Sequence, residues 1–209
     1  LVPNCLCLKT GIRILRFMKK RNGFTLIELI VTMAIAAIML SIAVPSYQAS
    51  VQNNRKTTSV NALATAFQLA RSTAITRKVS VTVCKSNDTA SATPVCLSGG
   101  GSGDWTQGWA AFTDSAPIGI MNGSDSLLRV HGALSGNATF SGNNNVINRV
   151  TFTPTGLARG SNGTITHCDA RGATSASALV ISVGGQVSHA IDNDADNMVD
   201  VQGAQVLCP

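Results

Sequence analysis

Four aspartates stand at the first, third, fifth and ninth places of the run DNDADNMVD: Asp192, Asp194, Asp196 and Asp200. In a tight loop, alternate side chains of this kind converge and offer oxygens to one hard cation, with a backbone carbonyl near Met198 as a further ligand. Calcium is the ion that such chemistry suits. The run departs from an EF-hand loop in two places. Asn197 stands where that loop has the glycine of its sharp turn, and Gly203 stands where a bidentate glutamate closes the shell. The simpler expectation is an acidic, Asn-rich surface turn and no cofactor, with calcium as the alternative.

Other groups that do chemistry are sparse. His131, His167 and His189 fall on separate predicted strands, and no G-x-S-x-G or phosphate-binding loop is present. The GGGSG run at 99–103 lacks the lysine that follows the glycines of a phosphate cradle. His167-Cys168-Asp169 sets a base, a thiol and an acid side by side, but Cys168 is better used in a disulfide. No enzyme is expected.

The most informative acid is Glu28, inside the stretch from Phe24 to Val44, where 17 of 21 residues are apolar and no other residue is charged. At about 1.5 Å rise per residue a helix of this length spans roughly 30 Å, the thickness of a hydrocarbon core. Lys19, Lys20 and Arg21 precede it and hold its amino end in the cytoplasm, so the rest of the chain is expected outside. The basic residues run straight into the apolar ones and no small-residue cleavage site follows, unlike a secretory signal. An acid within a span costs about 2.5–3.5 kcal/mol on insertion scales unless it finds a partner. Cleavage between Gly23 and Phe24 supplies that partner, because it creates a new amine on Phe24 one helical turn from Glu28. Among parallel helices the carboxylate also meets the amine of a neighbouring copy, which turns a costly charge into a device for register.

Six of the sixteen basic residues (Lys9, Arg13, Arg16, Lys19, Lys20, Arg21) lie before Phe24. From Phe24 onward ten Lys and Arg balance ten Asp and Glu, so the formal charge of +6 belongs to the flank of the membrane helix. The first residue is Leu1, and residues 1–17 are read either as an untranslated upstream misreading or as following a non-AUG start, with Met18 opening the six-residue leader MKKRNG in the first case. Cys5 and Cys7 precede the cut and are not expected in the mature fold.

The remaining elements follow from periodicity. Pro45, just past the apolar run, is expected to loosen or kink the helix. Val60, Leu63, Phe67, Ala70 and Ala74 then recur at helical spacing, a stripe suited to packing on a globular domain. Helix is predicted from Thr25 to about Thr76, with 24–44 in the membrane or filament core and 45–77 as an amphipathic continuation. From residue 78 to 209 the pattern turns to short β-like runs at 79–84, 109–113, 127–131, 146–153, 163–168, 178–183 and 186–191. Gly184-Gly185 marks a hairpin between the last two, and 85–108 reads as a long exposed loop. With aromatics at 4% and charges at 12%, a β-rich head with polar loops is expected, and the class is α+β. Trp105 and Trp109 are expected as core or loop anchors. Four cysteines fall in the head: Cys84, Cys96, Cys168 and Cys208. Sequence alone leaves three pairings open. Cys84–Cys96 and Cys168–Cys208 are favoured, the first closing the long loop and the second tying the carboxyl end to a strand. Loops of these lengths contribute about 3–4 kcal/mol each in the chain-entropy model.

G-F-T-L-I-E-L, Gly23 to Leu29, resembles the class III signal of type IV prepilins and type II secretion pseudopilins. The resemblance implies cleavage after Gly23 by prepilin peptidase, amino-methylation of Phe24, and a Glu28 that sets docking among other pilins. LARSTAITRKVSVTVC (69–84), DWTQGWAAFTD (104–114) and the block from VTFTPTGLARG to ALVISVGGQVSHA (150–190) are similar to the FimT and GspH group of minor pilins and pseudopilins. Two β-sheets packed beside the helix are implied, on a protein of the bacterial inner membrane with its head in the periplasm, serving a type IV pilus. A type II secretion pseudopilus is the first alternative. DNA binding in transformation is the second: some FimT-like proteins carry a G-R-x-R stretch near the last hairpin, but here that place reads G-G-Q-V-S-H, Gly184 to His189, without the guanidinium groups that grip phosphates. Lys78, Lys85, Arg159 and Arg171 are the remaining candidates for a basic patch.

Overall fold

The computed structural model describes residues 23–97, 103–116, 118–143, 145–194, 196, 198–201 and 203–208. Cys5, Cys7, the leader residues Met18 to Asn22 and most of the 99–103 glycine run lie outside the described residues. The chain divides into two compact units between Tyr47 and Gln48. One helix, α1 (Leu26–Arg77), contributes to both.

In the first unit, α1 opens on a T-x-x-E arrangement. The Thr25 hydroxyl accepts the Glu28 N–H at 3.2 Å, satisfying one of the unpaired amides of the first turn. The hydroxyls of Thr32 and Ser41 bond back to the carbonyls of Leu29 and Ile38, so neither brings an unpaired polar group into the apolar run. Every residue from Phe24 to Tyr47 is exposed in the single chain. Helix is continuous through Pro45, where loosening or a kink is expected. Proline removes one ladder bond there, and the turns on either side carry the helix through.

In the second unit, Val60, Leu63, Phe67, Ala70 and Ala74 are all buried, as the stripe predicts. They face two antiparallel sheets. The first has the order β4-β3-β1-β6, from Val81–Lys85 (β1), Trp109–Thr113 (β3), Leu127–His131 (β4) and Arg149–Phe152 (β6). The second has the order β2-β5-β7-β8-β9, from Gly103–Asp104 (β2), Thr139–Gly142 (β5), Gly163–Cys168 (β7), Ser177–Ile181 (β8) and Val187–His189 (β9). A small hairpin, Asp200–Val201 (β10) with Ala204–Gln205 (β11), follows. Three alanines among the helix contacts, Ala66, Ala70 and Ala74, are fully buried and let the sheets approach closely. Phe67 fills the space between them, edge-on to Trp105 at 5.9 Å and tilted on Phe152 at 6.4 Å. The end of the predicted exposed loop is therefore core. Trp105 is buried in a short 3-10 turn, and its indole N–H reaches the Val146 carbonyl at 3.0 Å.

Two disulfides tie this unit, Cys84–Cys96 and Cys168–Cys208. The second borders a small apolar cluster of Ala176, Ala178 and Val206. One buried acid is well served. Asp114 accepts the Thr82 hydroxyl and the Gly119 N–H, and burial still pushes its carboxyl above the ordinary range.

Arg71 of α1 clasps two turns, donating to the Gly156 carbonyl and the Gly184 carbonyl, each at 3.1 Å. The β8–β9 turn closes through Gly185 N–H to Ser182 carbonyl at 2.8 Å. Gly185 has φ +73°, and a Cβ there would lie 1.9 Å from the Gly156 carbonyl oxygen. Gly185→Ala combines left-handed strain with a clash against backbone, and is expected to cost roughly 2–4 kcal/mol in urea denaturation. Gly184→Ala meets only the Ser182 hydroxyl at 3.6 Å and is expected to stay within about 1 kcal/mol. Equal losses at the two positions would contradict this account of the turn.

Candidate functional site: the amino-terminal end of the helix

Gly23, Phe24 and Glu28 sit together at the start of α1. Among the described residues nothing lies within 4 Å of a Cβ placed on Gly23, and Phe24 is 81% exposed. No described residue covers the peptide bond between them. Glu28 lies in the first turn, where the positive end of the helix favours a carboxylate. Its N–H is used by Thr25, while the carboxylate has no hydrogen bond or ion pair among the described residues. Leu26, Ile27, Met33, Ile38, Met39 and Ile42 surround it along the helix, each more than 60% exposed. A continuous apolar surface of this kind must be covered by lipid or by other helices. The helix is long and apolar enough to cross a membrane.

The other candidate residues lie in the head. Asp192, Asp194 and Asp200 bring one carboxylate oxygen each to within 4.8 Å of one another. Asp196, expected with them, does not join: its carboxylate accepts the Met198 N–H at 2.8 Å and the Gln205 amide. The tight turn leads its side chain toward β11 instead. The Asp196 N–H favours the charged form of Asp194, yet desolvation and the neighbouring Asp196, Asp200 and Asp192 charges leave that carboxyl above its ordinary value. The three acids repel one another and can offer oxygens to a hard cation, but they are surface groups on the loop that leads into β10.

The four basic residues do not make one patch. Lys85 is 5% exposed, facing Trp109 across the β1–β3 pairing. Arg171 pairs with Asp169 at 2.6 Å and donates to the Asn53 side chain at 2.7 Å. Lys78 ends the helix with φ 55°, and Arg159 lines a separate groove with Arg149. The histidines are also apart. His131 stacks on Trp109 at 4.1 Å, His167 is buried against Phe140, and His189 is on β9. Cys168, being disulfide-bonded, holds no free thiol for His167 to activate.

Comparison with known proteins adds to this geometry. Residues 59–185 match the family model of the type II transport protein GspH. The chain belongs to the GspH family. Residues 18–44 match the prokaryotic N-terminal methylation motif, which places Gly23, Phe24 and Glu28 within a prepilin-type leader and helix. No curated protein matches significantly. Among solved structures, this GspH-family chain is similar to the type IV minor pilin FimU of Pseudomonas aeruginosa PAO1, with 21% identity and a TM-score of 0.50 over 66% of this chain and 89% of that one. A second crystal form of FimU gives 20% identity and a TM-score of 0.47 over 64% and 90%. The first likeness shows the fold: a long apolar amino-terminal helix and an antiparallel β head, as in type IV pilins.

Proposed function

We propose that the chain is a minor type IV pilin, cut between Gly23 and Phe24, methylated on the new amine, and assembled through its amino-terminal helix with other pilins. The observation that carries this reading is the exposed apolar surface around one unpaired acid, Glu28, next to an open Gly23–Phe24 bond. Before assembly the helix spans the inner membrane, with the basic residues of the leader in the cytoplasm and the head in the periplasm. In the fibre, neighbouring helices replace the lipid and the Phe24 amine answers the Glu28 carboxylate. The head, held rigid by its two disulfides, carries the contacts to partner subunits. Two cross-links suit an oxidising compartment.

A minor pseudopilin of type II secretion is the second reading, and the GspH family model favours it. Both use the same helix physics. Deleting the gene separates them: loss of surface pili with secretion intact supports the pilus, and the reverse supports secretion. Processing has its own test. Mass spectrometry of protein purified from its native host is expected to find a chain beginning at methylated Phe24. A chain still carrying Met18 or an earlier residue would refute the proposed cut.

A further inference from the structure

The second unit holds a cleft of about 260 Å³ between the helical residues Arg55 and Lys56, the turn around Ser135 and Asn137, and the end of β7 with His167 and Asp169. Its inner wall is unusual. The His167 side chain is 1% exposed, and neither ring nitrogen has a hydrogen-bond partner among the described residues. Phe140 packs edge-on against the ring at 5.0 Å and leaves the nitrogens unserved. Burying such a group without a partner is costly. The outer wall is cationic. Arg55 is exposed and has no hydrogen bond or ion pair among the described residues. Gly136 makes room for it, since a Cβ there would lie 3.3 Å from Nη1. Lys56 is held in place by one bond, Nζ to the Ser175 carbonyl at 3.1 Å, which leaves its other donors free. The negative charge of Asp169 is already met: Arg171 grips it through Nε and Nη2 and holds its carboxyl below the usual range.

We infer that this cleft binds a carboxylate group, taken by the Arg55 fork and the Lys56 ammonium, with the buried His167 ring at the inner wall close enough to feel its charge. The fork matches the planar geometry of a carboxylate. A dianionic phosphate would face stronger repulsion from Asp169, which lines the same cleft. A free organic acid and the glutamate side chain of an adjoining polypeptide present the same group. The inference does not depend on processing or on fibre assembly.

Proton linkage gives a second signature. Burial lowers the His167 pKa; Asp169 and the residue's own backbone oppose that, while Lys56 and Arg171 add to it, and Arg55 lines the same space. A bound carboxylate favours the imidazolium, so binding takes up a proton and strengthens as pH falls.

The test uses the full chain in detergent micelles, titrated with sodium lactate or with acetyl-Gly-Glu-Gly-amide while NMR follows the His167 ring nitrogens. Saturable shifts are expected with at least one probe, several-fold tighter near about pH 5.5 than near about pH 7.5. Arg55→Gln, an exposed position that leaves the core untouched, is expected to weaken binding roughly 10-fold or more. Saturation by lactate assigns a free acid, and saturation by the peptide alone assigns a protein side chain. The site is refuted if neither probe saturates, if sodium chloride gives the same response, or if Arg55→Gln binds as the parent does.

Discussion

Glu28→Gln is expected to remove the subunit from sheared fibres while its amount in the membrane stays level or rises. The two effects share one cause. In lipid the carboxylate is a liability of about 2.5–3.5 kcal/mol, so the amide eases insertion. On the proposed reading the same carboxylate answers an amine between packed helices, and losing one partner of a buried pair costs about 3–5 kcal/mol, a factor of roughly 150 to 5,000 in docking. Immunoblots of the fibre and membrane fractions read both at once. A variant that enters fibres at the parent level would show that apolar packing alone sets register. Helix formation is not the issue, because the Thr25 cap bonds the backbone N–H of residue 28 and survives the change.

Phe67→Ala is expected to cost about 3–5 kcal/mol and to lower the melting temperature of the head by roughly 6–20 °C in thermal circular dichroism. Phe67 is completely buried and its ring meets Trp105 and Phe152, so the cavity opens where the helix faces the sheets. The alanines that flank it on the helix cannot fill the space. A loss below about 1 kcal/mol would mean that the sheets close over the gap, contrary to the tight contact made by Ala66, Ala70 and Ala74. Val95→Ala, at a position 63% exposed, serves as the control and should stay within about 0.5 kcal/mol.

What sequence reveals here depends on whether the signal is local. The spacing of Val60, Leu63, Phe67, Ala70 and Ala74 exposes the helix face, and WAAFT, LLRVH and GTITHC delimit β3, β4 and β7 because apolar or β-branched residues fill them. Thr139–Gly142 carries one large apolar residue, Phe140, among small polar ones, and becomes a strand by pairing with β2 and β7. Val146 to Asn148 read as strand yet form a turn, with Val146 buried beneath Trp105. Lys85 reads as the start of a loop but is the last rung of β1. The residues proposed for processing and docking, Gly23, Phe24 and Glu28, stand within one short run, so the proposal can be made from adjacent positions alone. The cleft at His167 could not be read this way. Arg55 and His167 are distant in sequence, and only the fold brings a helical cation to the end of a strand.

The two disulfides also set a mechanical length. Cys168 and Cys208 are 40 positions apart, and Cys84 and Cys96 are 12 apart. At roughly 3.4 Å per extended residue, some 135 Å and 40 Å of backbone are withheld from stretching until a sulfur bond breaks. In the fibre proposed above, a subunit carries tension. Tension that peels this head open meets a short leash, and most of its far end stays looped and ready to fold again when the pull is released.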